Sequence, residues 1–357
     1  MKKYYIKSVA DALGLRYKKR GDADSLYYFC PFCGDKKGKL NLNIKKQTWR
    51  CNRCEEGGGV TRLVEAYREC SHEEALTWLS ETSGVLSETV ATADSYEPEN
   101  KIADENILDA TYRAMLKLLK LKKIHQRDLL RRGLNESAIA KLGFKSMPDK
   151  ETGKTVALKL FNSGYTLDGV PGFYKAYGKW RMQDLPGYLI PFINVNGKIT
   201  GMQIHVDKPG NGGGKYMSLT STGKNCGTKS AIQAHLIGYK NQCSVYLTEG
   251  GLKADVACYL SYIQKHRAYA FLAIPGVSNS KTLKNALEEL KARGVTKVYN
   301  CFDMDRVGNQ TCAVNSNVQR SILKLKNIVS DVGLDWKDIS WETEKGIDDY
   351  LLYLQKN

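Results

Sequence analysis

No stretch of this chain comes close to the roughly 18–20 consecutive apolar residues that a membrane-spanning helix requires, so such a helix is excluded. A secretory signal has no support either, because Asp11 interrupts the basic start before an apolar segment develops. Histidine is scarce: five in 357 residues, and His72, His125, His205, His235 and His266 form no cluster. Each reads as a core or surface side chain. There is no internal repeat, and Gly212-Gly213-Gly214-Lys215 lacks the wider spacing and the Ser/Thr of a phosphate-binding P-loop. Without a signal, the ten cysteines read as cytosolic thiols or metal ligands rather than disulfides.

What the chain does have is positive charge, 54 Lys and Arg against 38 Asp and Glu, for a net +16. The length predicts two or three domains of ~100–200 residues, and an apolar fraction of 42% is enough for packed cores. A basic protein of this kind points to nucleic acid or an acidic membrane surface as partner. The excess is local. Residues 1–100 hold 16 basic and 15 acidic residues, 101–240 hold 23 and 10, and 241–357 hold 15 and 13. The middle block therefore reads as a polyanion-binding face.

Residues 5–15 read as a short amphipathic helix with Ile6, Val9, Ala10 and Leu13 on one face. Residues 60–80 read as two helices split near Ser71, which has a capping-box partner in Glu74. Residues 82–104 are polar and aperiodic, the best linker in the chain. Residues 105–142 read helical with a break at Gly133-Leu134-Asn135, and 155–220 read as strands and turns. Asn196-Gly197 between two apolar runs predicts a hairpin. From 241 the pattern alternates, with strands at 244–248, 269–274 and 297–302 and helices at 251–264, 281–293 and 309–328. That alternation predicts a parallel sheet, with functional residues at the strands' carboxyl ends.

Cys30-Pro-Phe-Cys33 and Cys51-Asn-Arg-Cys54 are two Cys-x2-Cys knuckles with 17 residues between them, a standard zinc spacing. A zinc ribbon follows. It is structural, since a module this small needs metal to fold, or it also contacts nucleic acid through Trp49, Arg50 and the lysines at 36, 37, 39, 45 and 46. The other six cysteines show no ligand pairing.

Three acidic positions stand out in the last third. Glu249 ends the first strand before Gly250-Gly251, Asp303-Met304-Asp305 ends another, and Asp348 follows Lys345-Gly346-Ile347. On an extended chain Asp303 and Asp305 face the same way. Carboxylates gathered at one sheet edge repel unless a cation sits among them, and hard oxygen ligands suit Mg²⁺ or Mn²⁺. Two such ions can activate a 3′-hydroxyl and stabilise a leaving pyrophosphate. In the middle block, Tyr165, Phe173, Tyr174, Tyr177 and Trp180 interleave with Lys175, Lys179 and Arg181. This is either a base-stacking surface or a sheet core with outward charges.

With these residues the chain resembles the bacterial and phage replicative DNA primases, which join a zinc ribbon to a polymerase core containing a TOPRIM fold. The two knuckles, the Gly57-Gly58-Gly59 run and the paired helices ending in Glu-Ala-Leu-x-Trp-Leu resemble the primase zinc domain. Arg132-Gly133-Leu134 resembles the entry to the core, and the hairpin around Gly197 followed by Lys215-Tyr216 resembles its basic subdomain. Glu249-Gly250, Asp303-x-Asp305 and Lys345-Gly346-Ile347-Asp348 resemble the TOPRIM acidic motifs.

The resemblance implies a multidomain α+β and α/β protein: a zinc ribbon over 1–81, a linker over 82–104, a basic subdomain over 105–240 and a Rossmann-like parallel sheet, the TOPRIM subdomain, over 241–357. It implies synthesis of RNA primers on single-stranded DNA from ribonucleoside triphosphates, with structural zinc and catalytic Mg²⁺ or Mn²⁺. Glu249 would be general base or metal ligand, Asp303, Asp305 and Asp348 would hold the divalent ions, and Lys215, Lys224 and Lys229 would face template or triphosphate. A replicative helicase on a separate chain and a cytoplasmic location are expected, with no membrane partner. The end of the chain soon after the third motif suggests a phage or mobile-element source by analogy.

There are departures. All four zinc ligands are Cys where many relatives have Cys-His at the first knuckle. Lys253 stands where the family commonly has an acid, and the nearest acid is Asp255. The alternatives are another TOPRIM enzyme, nuclease or topoisomerase-like, and a non-catalytic DNA-binding replication adaptor.

Overall fold

The structure, a computed structural model, describes residues 4–82, 101–176, 178–209, 214–266, 269–276 and 282–357. It divides into two compact units, Met1–Tyr96 and Glu97–Asn357. Most of the expected linker, residues 83–100, lies outside the described residues.

The first unit opens with helix α1 (Ile6–Ala12), whose Ile6, Val9 and Ala10 are buried as their spacing predicts. Strands β1 (Tyr17–Arg20), β2 (Ser25–Tyr28), β3 (Leu40–Asn43), β4 (Thr48–Cys51) and β5 (Gly57–Gly59) form an antiparallel sheet in chain order. Helices α2 (Val60–Arg68) and α3 (His72–Glu81) follow. The Ser71 hydroxyl accepts from the Glu74 N–H while the Glu74 carboxylate accepts from the Ser71 N–H, completing the expected capping box. Alternation on β3 and β4 turns Leu40, Leu42, Trp49 and Cys51 into one small core.

The second unit begins with helices α4 (Glu105–Leu118), α5 (Lys123–Arg131) and α6 (Glu136–Leu142). After the short strand β6 (Lys145–Ser146) comes α7 (Lys150–Asn162). This last helix corrects the strand reading of 155–162. The Asp149 carboxylate caps it at the Thr152 N–H, and Val156, Ala157 and Leu160 bury one face at helical spacing. Strands β7 (Phe173–Ala176) and β8 (Lys179–Met182) form a separate two-stranded sheet. Strands β9 (Gly187–Ile193) and β10 (Ile199–Val206) form the expected Asn196-Gly197 hairpin, flanked by β6 and by β11 (Tyr216–Ser218).

The last third holds β12 (His235–Ile237), β13 (Ser244–Glu249), α8 (Gly251–Lys265), β14 (Phe271–Ile274), α9 (Leu283–Ala292), β15 (Lys297–Asn300), α10 (Ser316–Val332), β16 (Asp335–Asp338) and α11 (Ile347–Lys356). The sheet order is β12-β14-β13-β15-β16, parallel except for β12. One face carries α9 and α10 through Leu287, Leu290, Leu325 and Val329, and the other carries α8 through Ala254 and Ala257. Helix α10 starts later than the expected 309, because Asn315 caps it at the Asn317 N–H. A third cluster, with Leu129, Tyr188, Phe192, Leu252 and Leu260, packs the middle block directly onto α8. At that junction a Cβ on Gly251 would lie 2.7 Å from the Phe192 ring, so only glycine lets α8 begin there.

Candidate metal centre and acidic site

In the first unit the four cysteine sulfurs lie within 4.8 Å of one another. Cys30 and Cys54 Sγ are 3.8 Å apart, and Cys33 and Cys51 Sγ 3.9 Å. A tetrahedron of Zn–S bonds of about 2.3 Å has edges of about 3.8 Å, so the quartet fits zinc without rearrangement. Burial pushes the Cys30 and Cys54 thiols up. Cys51 is also buried, but N–H groups of Cys54 and Arg53 hold it below its ordinary value, the Arg53 N–H donating at 3.3 Å. The ribbon's expected nucleic-acid contact through Trp49 is corrected by its placement. Trp49 is 2% exposed, and its indole N–H donates to the Gly59 carbonyl at 3.2 Å. Alternation on β4 leaves Arg50 facing solvent instead.

In the second unit, Glu249 ends β13, next to the β15 segment that leads into Asp303. Asp303 and Asp305 do not share an extended strand, as their spacing suggested. Strand β15 stops at Asn300, and Met304–Arg306 is a turn of 3-10 helix. The cause is Arg306, which sequence reasoning missed. Its buried guanidinium donates to the carbonyls of Phe302 and Ile339, pinning the turn. Only its place directly after Asp-x-Asp hinted at this. Both carboxylates still reach one point, because the Lys345 ammonium lies 2.9 Å from Asp305 Oδ2 and 3.8 Å from Asp303 Oδ2. The Met304 N–H donates to the Lys345 carbonyl at 2.9 Å and ties the two loops together.

Lys253, in the first turn of α8, donates to Asp303 Oδ1. Burial favours its neutral amine, but Asp303 and Asp348 outweigh this and raise Lys253 to about 12. Burial raises Glu249, against the pull of Lys253. Burial likewise raises Asp348 to about 6. Asp348 sits over Gly346, where a Cβ would lie 2.6 Å from its Oδ1 and 3.4 Å from Lys253 Cε. Asp305 and Asp348 are 9% and 6% exposed, and Oδ1 of each has no hydrogen-bond partner among the described residues. Two buried hard oxygens left bare are what a divalent cation satisfies.

Asp255 is not part of this site. It and His235 are fully enclosed, with His235 Nε2 3.0 Å from Asp255 Oδ1. Because the Ile193 N–H donates to His235 Nδ1 at 2.9 Å, the ring proton is on Nε2, facing the carboxylate. Asp255→Ala should therefore cost about 3–5 kcal/mol in urea unfolding of the core, with activity per folded molecule preserved. Unchanged stability with altered metal dependence would contradict this placement.

The folded Asp348 carboxyl binds its proton more tightly than in the unfolded chain, where ~4 is usual. Its contribution to stability is present below ~4 and is lost as pH rises through about 6. In magnesium-free buffer Asp348→Asn should melt a few degrees above wild type at pH 7.5, at about 2–4 °C per kcal/mol. The two should converge near pH 4.5, and parallel pH profiles would contradict the assignment.

Across from the acidic site, Asp128 accepts from Arg131, from Arg132 at 3.1 Å and from the Tyr188 hydroxyl at 3.0 Å. His205 stacks on Tyr188 at 4.6 Å, and both its ring nitrogens are buried without a partner among the described residues. Burial, with Arg132 and Lys215, lowers His205 to about 4, so it is neutral. Sequence reasoning missed His205, a lone histidine in a strand pattern. Lys215 and Lys229 are exposed, whereas Lys224 donates to Gln183 at 2.6 Å and lies 4.0 Å over the Tyr174 ring. Of the aromatic stretch, Phe173 is core, Tyr177 lies outside the described residues, and Trp180 pairs with Lys175 across β7 and β8. Lys154, Leu158, Phe161, Lys175, Trp180 and Arg181 line an open pocket of about 420 Å³.

Comparison with known proteins bears on both units. Residues 2–95 match the CHC2 zinc finger family of the DnaG zinc ribbon, and residues 236–356 match a domain of unknown function, DUF3854. No curated protein sequence matches. The zinc-binding and RNA polymerase domains of the Aquifex aeolicus primase are similar in structure, with a TM-score of 0.51 at 15% identity over 98% of this chain and 82% of that one. The RNA polymerase domain of Mycobacterium tuberculosis primase DnaG gives 0.49 at 12% identity, over 71% and 83%. A DNA primase domain from Pseudomonas aeruginosa gives 0.46 at 14%, over 69% and 74%. Residues 2–95 therefore belong to the primase zinc-finger family, and the chain as a whole carries the fold of a primase zinc-binding and RNA polymerase region.

Proposed function

We propose that the chain is a DNA primase, copying single-stranded DNA into short RNA primers from ribonucleoside triphosphates. The observation that carries this reading is the meeting of Glu249, Asp303, Asp305 and Asp348 around two lysines, with two buried carboxylate oxygens left without partners. A divalent Mg²⁺ or Mn²⁺ held by Asp305, Asp348 and Glu249 would supply charge stabilisation for pentavalent phosphorus and the leaving pyrophosphate. Glu249, raised by burial, is placed to take the proton of the attacking 3′-hydroxyl. Lys345 and the exposed Lys215 neutralise triphosphate charge. Residues 101–240 guide the template backbone, and the Trp180 pocket suits an unstacked base beside lysines. A replicative helicase on a separate chain would deliver the single strand. Among the described residues no helix is long and apolar enough to cross a membrane.

One observation favours a second reading, a nucleic-acid adaptor without catalysis: the Lys253 ammonium already occupies Asp303. Incubation with single-stranded DNA, labelled ribonucleotides and Mg²⁺ or Mn²⁺ separates the two. Template-dependent oligoribonucleotides are expected. DNA binding without product would establish the adaptor, and cleaved DNA a nuclease.

A further inference from the structure

We infer that the ammonium of Lys253 is a built-in cation of the acidic site, so that this site takes one divalent ion and not two. The inference rests on the reading of the site as a divalent-cation centre and specifies its stoichiometry.

Charge gives the first argument. Glu249, Asp303, Asp305 and Asp348 bring four carboxylates, and Lys253 and Lys345 bring two ammonium groups. The remainder, two negative charges, is matched by one divalent ion. A second would leave the buried site with excess positive charge, which a low-dielectric environment penalises.

Geometry gives the second. Both oxygens of Asp303 face lysines, Oδ1 facing Lys253 and Oδ2 facing Lys345 at 3.8 Å. Asp303 is thus the carboxylate with least capacity left for a metal. The oxygens still bare are Oδ1 of Asp305 and Oδ1 of Asp348. These are acceptors for a single ion, with Glu249 beside them.

The third argument is the way Lys253 is held. Its stem leaves the first turn of α8, and its Cε passes close to the space over Gly346 that Asp348 Oδ1 also fills. Side chains of Lys253 and Asp303 are only 17% and 18% exposed. An ammonium so enclosed is a fixed point charge and not a mobile surface group. In this position it can neutralise Asp303 permanently, which a dissociable ion does only at sufficient concentration.

The test counts Mn²⁺ bound to the zinc-loaded full-length protein by the electron paramagnetic resonance signal of free Mn²⁺, after subtracting binding to the Asp305→Asn/Asp348→Asn double variant. One Mn²⁺ per wild-type chain is expected, one in Lys253→Arg, and two in Lys253→Asp. Should Lys253→Asp not fold, the wild-type and Lys253→Arg counts decide alone. Two ions on the wild type would overturn the inference and leave the divalent-centre reading intact. No ion above the double variant, with DNA and nucleotide present, would overturn both.

Discussion

Asp303→Asn should abolish template-directed RNA synthesis, by about 10³-fold or more. A charge aligned with the reacting phosphate in a site sheltered from water is worth about 10²–10³ in rate. Here the loss is compounded. Asp303 is the common anion for Lys253 and Lys345, so its removal both weakens the cation centre and leaves two ammonium groups facing each other. Breaking one side of an enclosed ion pair costs about 3–5 kcal/mol, so the core should also melt lower. Product formation and the circular-dichroism melt must therefore be read together. The double change Asp303→Asn/Lys253→Met should recover much of the stability and none of the activity. Activity within tenfold of wild type in the single variant, at full folding, would show that Asp303 is not at the reacting phosphate.

Cys51→Ser should empty the zinc ribbon and unfold the first unit while the second keeps its own melt. The ribbon's core is small, and two of its buried members, Cys30 and Cys51, are ligands themselves. Modules of this size lack the apolar area to fold alone, and structural zinc supplies about 10–16 kcal/mol of apparent binding free energy. Metal analysis should fall from about one zinc per chain to near none. Limited proteolysis should then cut within residues 4–82 and spare 101–357. Retention of zinc by the variant, or an unchanged protease pattern, would contradict the four-cysteine assignment. If the ribbon also helps select the start of synthesis, product length and yield should change on templates that need such selection, while binding of the core to DNA persists.

What could be read from the amino-acid order alone was whatever close neighbours decide. The two Cys-x2-Cys knuckles each place their ligands on one tight turn, so zinc was legible from spacing. Period-two alternation on β3 and β4, the Asn196-Gly197 hairpin and the capping box at Ser71 involve residues a few positions apart. Strand-helix alternation after 241 gave the parallel sheet, and the position of Glu249 at a strand end followed from it. Residues 155–162 misled because the β-branched Thr155 and Val156 read as strand, while the cap at Asp149 and the buried face of α7 decided for helix.

What needed the tertiary structure was every pairing between distant groups. Lys253 reaches Asp303 from 50 positions away, and sequence registered it only as a missing acid. Asp255 had been the nearest substitute for that acid, yet α8 turns it inward onto His235, because residues 253 and 255 are about 200° apart around a helix. The turn that aims Asp303 and Asp305 at one lysine depends on Arg306 bonding the Ile339 carbonyl across 33 positions. Sequence fixes which charges exist and which local elements carry them. Which charges neutralise each other, and so how many cations the site still needs, is decided only when the sheet brings its strand ends together.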